Sequence, residues 1–174
     1  MTASVDIDRL IKSSRVGFRI DVVGLAQKLD LPVYSIDLPD DEGGHICKND
    51  GQKAYIEVNR KHPVTRQRFT IAHEISHYLK HEPDLAKEGQ LDRKTQYASP
   101  EEANREAEAD ETAASILMPE DLVNEYFEQK KWSSLTRFTT DMIEQIADEF
   151  RVSRVMAITR LRELGFAIPF LSFA

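Results

Sequence analysis

A chain of 174 residues with 41% hydrophobic side chains can bury one core of ordinary size with a small appended unit. Lys+Arg total 23 against 30 Asp+Glu, and the resulting net charge of -7 argues against a dedicated nucleic-acid binder while leaving room for a local basic face. The single cysteine, Cys47, excludes an intramolecular disulfide, the charged start MTASVDIDRLI lacks a signal-peptide core, and no run approaches the roughly 18 apolar residues of a membrane span. A soluble, cytoplasmic protein is expected.

In chain order, Asp21 caps a short helix, DVVGLAQKLD, whose Val22, Leu25, Ala26 and Leu29 recur at helical spacing until Pro32. VYSID alternates like a strand. After the turn-rich DLPDDEGG, the runs HICK and KAYIEVN around the turn NDG predict a hairpin from about Ile46 to Val58. Pro63 suits the first turn of a helix that Ile71, Ala72, Ile75 and Leu79 carry to about His81, with Pro83 as its stop. Residues 82–98 are charged and aperiodic and predict a long loop.

Ser99, Pro100 and Glu102 form a capping-box start for an Ala-rich helix that Pro119 closes, and PEDLVNEYFEQKK gives another. From Thr140, the segments TDMIEQIADEF and RVMAITRLREL, joined by a turn at Arg151 and Val152 with Ser153 as cap, form a helix pair ending at Gly165.

Chemistry concentrates in RFTIAHEISHYLKH, residues 68–81. His73 and His77 differ by about 40° around a helix and about 6 Å along it, so both imidazoles can converge on one ion. Glu74 sits one step round, in place to take a proton from a water whose pKa a zinc ion has lowered to about 7. Two packed histidines would fit the same five residues, so a third ligand decides the matter.

Catalytic zinc takes three protein ligands and leaves a position for water. The Ala-rich helix offers Glu101, Glu102, Glu106, Glu108, Asp110 and Glu111. Taking Glu106 as the reference, Ala109, Asp110, Ala113 and Leu117 lie within about 60° of it on a small-residue face, whereas Glu108 lies about 200° away. Glu106 is therefore the expected third ligand. Asp110, one turn on, is placed to bond the free ring nitrogen of a ligand histidine. Burying both carboxylates between helices would be costly without a cation. His81 continues the row but would be displaced by about 12 Å from His73 and cannot share its ion, so it is read as a terminal or supporting residue. Lys80 and Pro83 exclude the metzincin extension of the motif.

The runs NRKHPVTRQRFTIAHEISHYLKH, EAEADETAASILMP and IADEFRVSRVMAITRLRELGF together resemble the ImmA/IrrE family of zinc metallopeptidases, in order and with ordinary spacing. The resemblance covers most of the chain. It implies His73, His77 and Glu106 as zinc ligands, Glu74 as catalytic base, and cleavage of helix-turn-helix repressors in mobile elements, stress responses or toxin-antitoxin-like gene pairs. Two positions depart from the family pattern: Ser76 replaces the glycine common inside the motif, and Asp110, Glu111 and Thr112 replace an Asn-Arg-Phe-like triplet. Neither removes a ligand.

The outer edge of the hairpin could pair with an extended substrate backbone, although its inward side chains serve as scaffold. Cys47 could touch the metal as an inhibitory thiolate, but the simpler reading is a small packed hydrophobe. Arg60, Lys61, Arg66 and Arg68 carry no catalytic assignment. Residues 131–174 hold Lys131, Arg137, Arg151, Arg154, Arg160 and Arg162 against Asp141, Glu144, Asp148, Glu149 and Glu163, a net of +1 that is weak for DNA. Packing or partner docking is favoured for this segment.

The sequence thus predicts an α+β, zincin-like domain over residues 1–130, with a small antiparallel sheet packed on helices, and a helix-turn-helix-like extension over 131–174. The expected activity is a Zn2+-dependent endopeptidase acting on a partner repressor, without membrane association. The competing expectation is a DNA-binding or toxin-like regulator with a non-catalytic zinc site.

Overall fold

The computed structural model describes residues 6–48, 53–85, 99–133, 135 and 137–168, with the backbone alone for 81–85. Their elements run α1 (Ile7–Ser13), β1 (Arg15–Val16), β2 (Arg19–Ile20), α2 (Val22–Lys28), β3 (Val33–Ile36), β4 (Gly44–Cys47), β5 (Tyr55–Asn59), α3 (Val64–Leu85), α4 (Pro100–Leu117), α5 (Glu120–Lys130), α6 (Thr140–Phe150) and α7 (Arg154–Glu163). The fold is α+β.

Local chemistry sets most boundaries. Asp21 accepts from the Gly24 amide to cap α2, and Asp30, at φ 61°, turns the chain before Pro32. Ser99 and Glu102 complete the expected capping box on α4. Arg151, in the left-handed region at φ 55°, ends α6, and Ser153 caps α7 by accepting from the Met156 amide.

The sheet has the order β3-β5-β4, with β3 and β5 parallel and β4 and β5 antiparallel. This corrects the expected antiparallel sheet. The connection over residues 37–43 carries the chain past the middle position to the far edge, so β5, returning between the two, must run alongside β3 in the same direction. Asn59 pins that connection by donating through Nδ2 to the carbonyls of Pro39 (2.8 Å) and Glu42 (2.9 Å). Gly44, at φ 153°, has no room for a side chain, since a Cβ would meet the Glu57 carbonyl oxygen at 2.3 Å and Thr70 of α3 at 2.8 Å. The sheet therefore presses closely on α3.

Helix α3 continues through Pro83 to Leu85 rather than stopping near His81. A proline in the final turn forfeits one backbone bond at a point where the ladder is already ending. Residues 82–85 of the loop expected over 82–98 are therefore helical; its remainder, 86–98, and the His81 side chain lie outside the described residues.

The core is continuous from Leu25 and Ile56 through Ile75 and Leu117 to Tyr126, Phe150 and Leu161. The apolar faces of α6 and α7 belong to it. Phe150 is fully buried beside Phe18 and Tyr126, and Arg68 of α3 donates to the Arg151 carbonyl at 3.0 Å. Burial pulls the Arg68 guanidinium below its ordinary pKa. Arg160 is buried against α4, its Nε donating to the Met118 carbonyl at 3.1 Å and Nη1 to Glu163 at 3.2 Å.

Candidate metal centre

Helix α3 starts where Pro63 ends the turn after β5, its carbonyl accepting from the amides of Arg66 and Gln67. Its long contact is with α4. Both helices bring small buried residues to the meeting, Ala72 and Ser76 from one and Ala109 and Ala113 from the other, which allows the backbones to approach. Side chains that reach across the seam are thereby set opposite each other.

At the seam, Nε2 of His73 lies 3.1 Å and Nε2 of His77 lies 3.2 Å from the two oxygens of Glu106, and the two ring nitrogens are 3.0 Å apart. The histidine rings meet edge to face with centroids 4.7 Å apart. His73 and His77 are buried, and the Glu106 side chain is 22% exposed. Asp110 Oδ1 sits 2.8 Å from His73 Nδ1. A carboxylate can only accept, so Nδ1 donates to Asp110, and with an ion bound the Nε2 lone pair would face it beside His77 and Glu106.

The donor set fits a small divalent ion. Tetrahedral zinc with bonds of about 2.0–2.1 Å holds its ligand atoms about 3.3–3.4 Å apart. The present separations of 3.0–3.2 Å fall just inside that spacing. Two imidazoles and one carboxylate also form a ligand class that catalytic zinc uses, leaving one position open. Glu74, between the two histidines in sequence, is completely buried.

Other acidic candidates go elsewhere. Glu102 caps α4, Glu108 pairs with Lys80 at 2.7 Å, and Glu101 and Glu111 are exposed. Helical phase thus separates Glu106 from Glu108 as expected. The depth of Asp110 departs from expectation, because its side chain is 57% exposed. It occupies the rim of the seam, and only Glu106 takes the cost of burial. Behind His73, a groove of about 850 Å3 runs between α3, α4 and α7, lined by Phe69, Asp110, Ala114, Leu117, Val155 and Met156.

Cys47 stands apart from the histidine pair and groups instead with His45 and Glu57. Sequence reasoning passed over these last two. Their signal was the alternation in HIC and YIE, and the β4–β5 register puts His45 opposite Glu57; the turn expected at NDG lies outside the described residues. Of the basic residues, Arg60 pairs with Asp37 at 3.3 Å, and Lys61 donates to the Leu38 carbonyl at 3.1 Å. Among the described residues, no helix is long and apolar enough to cross a membrane.

The sequence profile of the IrrE N-terminal-like domain, a peptidase family, matches residues 26–162. No curated protein matches the chain. A solved structure named "Mycobacterium tuberculosis transcriptional regulator" is similar in fold, with a TM-score of 0.59 and 18% identity. That similarity covers 91% of this chain and 46% of the other, so the chain spans under half the length of the larger protein.

Proposed function

The chain belongs to the IrrE N-terminal-like domain family of peptidases, and from that premise we propose that it is a zinc-dependent, zincin-like endopeptidase that cuts a partner transcription repressor. The observation carrying the proposal is that ligand atoms of His73, His77 and Glu106 lie within 3.0–3.2 Å of one another, with the neighbouring Glu74 fully buried.

His73 and His77 would each contribute Nε2 and Glu106 a carboxylate oxygen to the ion. When bound there, zinc supplies Lewis acidity, polarising the scissile carbonyl and lowering the pKa of a coordinated water to about 7. Glu74 acts as the general base, taking the proton of the attacking water and delivering it to the leaving amine. Asp110 holds His73 in the tautomer that offers Nε2. Burial keeps Glu74 away from competing solvent and fixes its position on a rigid helix.

A repressor substrate is supported by the family resemblance and by the arrangement of the helix pair in residues 131–174. We read that pair as a helix-turn-helix-like docking extension to a peptidase unit over residues 1–130, both sharing one core. Three of its arginines are engaged within the protein. Arg154 pairs with Glu144 at 2.8 Å, Arg160 binds the Met118 carbonyl, and Arg162 donates to the Ile168 carbonyl at 3.3 Å. Such arginines are poorly placed to neutralise phosphates. The similar solved structure is that of a protein named a transcriptional regulator, and the rival reading is a regulator whose zinc site performs no cleavage.

The test mixes zinc-loaded protein with a helix-turn-helix repressor encoded beside its gene and follows fragment formation together with operator binding. Cleavage by the wild type, and none by a Glu74→Gln protein that retains its zinc and its fold, is the expected result. An intact repressor, with regulated genes responding equally in cells carrying Glu74→Gln, would replace the peptidase reading with the regulator.

A further inference from the structure

A second group of ligating side chains lies on the sheet. The pairing of β4 with β5 sets His45 opposite Glu57 and Cys47 opposite Tyr55. Residues two apart on a strand share a face, so His45, Cys47 and Glu57 emerge together. The intervening residues face the other way: Gly44 abuts Thr70 of α3, and Ile56 and Val58 are buried in the core. The group therefore occupies the face of the sheet turned from α3, and all three residues are half-buried.

Each of the three offers a ligand atom within 4.8 Å of the others. His45 is flanked on both sides by carboxylates, with Nε2 2.9 Å from Glu57 Oε2 and Nδ1 2.9 Å from Glu42 Oε1. A neutral imidazole has one N–H and cannot donate to both. An imidazolium satisfies both carboxylates, and so does a cation between Nε2 and Glu57, because Glu42 then accepts the Nδ1 proton and Nε2 turns a lone pair toward the ion. His73 has the same surroundings, with a carboxylate on Nδ1 at 2.8 Å and another beside Nε2 at 3.1 Å. The sheet group adds a thiol.

We propose that His45, Cys47 and Glu57 form a second site for zinc or a like divalent ion, with Glu42 orienting His45. Imidazole, thiolate and carboxylate together suit a borderline-soft ion, and tetrahedral coordination by three protein ligands leaves a fourth position for water. Burial and the charges of Glu57 and Glu74 hold the Cys47 thiol protonated above its ordinary range, opposed by a hydrogen bond with Tyr55. Binding releases that proton to solvent, with the thiolate stabilised by the ion. The site joins β4, an edge strand among the described residues, to the central strand β5, and so fixes the edge on which an extended peptide could pair.

Cobalt(II) is the probe, bound to the full chain. Cys47 is the single cysteine of the sequence, so any thiolate-to-cobalt charge-transfer absorption reports this residue. Two cobalt ions per chain are expected, with a charge-transfer band whose intensity per chain is independent of protein concentration. Cys47→Ser removes the band and one ion, whereas His73→Ala removes one ion and keeps the band. Glu42→Gln weakens cobalt binding at the band-bearing site by about tenfold, the low end for loss of an orienting partner. One cobalt per chain without a band would overturn the assignment. So would a band that His73→Ala abolishes, since the thiolate would then serve the first centre, and so would one that rises with protein concentration, since it would bridge two chains.

Discussion

Removing the Asp110 carboxylate tests whether the seam is organised for a metal or merely packs two histidines. Asp110 touches His73 through one contact, 2.8 Å to Nδ1, on the side of the ring away from Glu106. Loss of such an orienting partner weakens metal binding by about 10–100-fold. With the Asp110 side chain 57% exposed, water can replace much of the lost bond, so Asp110→Ala belongs near the tenfold end, about 1.4 kcal/mol. Asp110→Asn keeps an acceptor oxygen without the charge and should fall between the alanine variant and the wild type. Competition against a zinc chelator measures both affinities, and repeating it at higher salt should narrow the gap, because an exposed charge is screened. Unchanged affinity in Asp110→Ala would refute the orienting role. A loss far beyond 100-fold would make Asp110 a ligand and undo the helical-phase argument.

Glu106→Ala should leave no zinc after a chelator wash while Glu108→Ala stays loaded, as measured by metal analysis; the reverse pattern would overturn the ligand assignment. Ser76→Ala should stabilise the protein, because the Ser76 hydroxyl is buried with no hydrogen-bond partner among the described residues. A gain of about 1 kcal/mol, or about 2–4 °C in melting temperature, is expected, and a lower melting point would mean the hydroxyl is satisfied in solution. Arg160→Ala should cost about 2 kcal/mol by removing charged hydrogen bonds to Met118 and Glu163, lowering a single melting transition by about 4–8 °C. Two separate transitions would mean that α6 and α7 fold apart from the rest.

What could be read from the residues follows a physical division. Helical phase is local, so the separation of Glu106 from Glu108, the capping box at Ser99 and the turn at Arg151 were all legible. Phase gives direction but not depth, which depends on how far the neighbouring helix extends. Asp110 was therefore expected inside the seam and lies at its rim. Strand order is not local at all. VYSI and YIEVN carry the same alternation whether they pair parallel or antiparallel, and the path of residues 37–43 decides the question. The two-residue strands β1 and β2 were too short for any period to register, whereas α1 carries Ile7, Leu10 and Ile11 at helical spacing behind the Asp6 cap, a signal that was legible and passed over.

The same geometry connects the C-terminal helices to the metal seam through α4. Arg160 holds the end of α4 at the Met118 carbonyl, while Val155 and Met156 of α7 form one wall of the groove whose other wall includes Asp110. Val155 is 69% exposed, an apolar side chain left at the open side of that groove. A protein partner that covered it would touch α7 and α4 together, one helical turn from Glu106. Docking and metal chemistry would then meet on a single helix. A partner seated there could change the exposure of Asp110 without contacting a ligand, and water would compete less for the His73 contact.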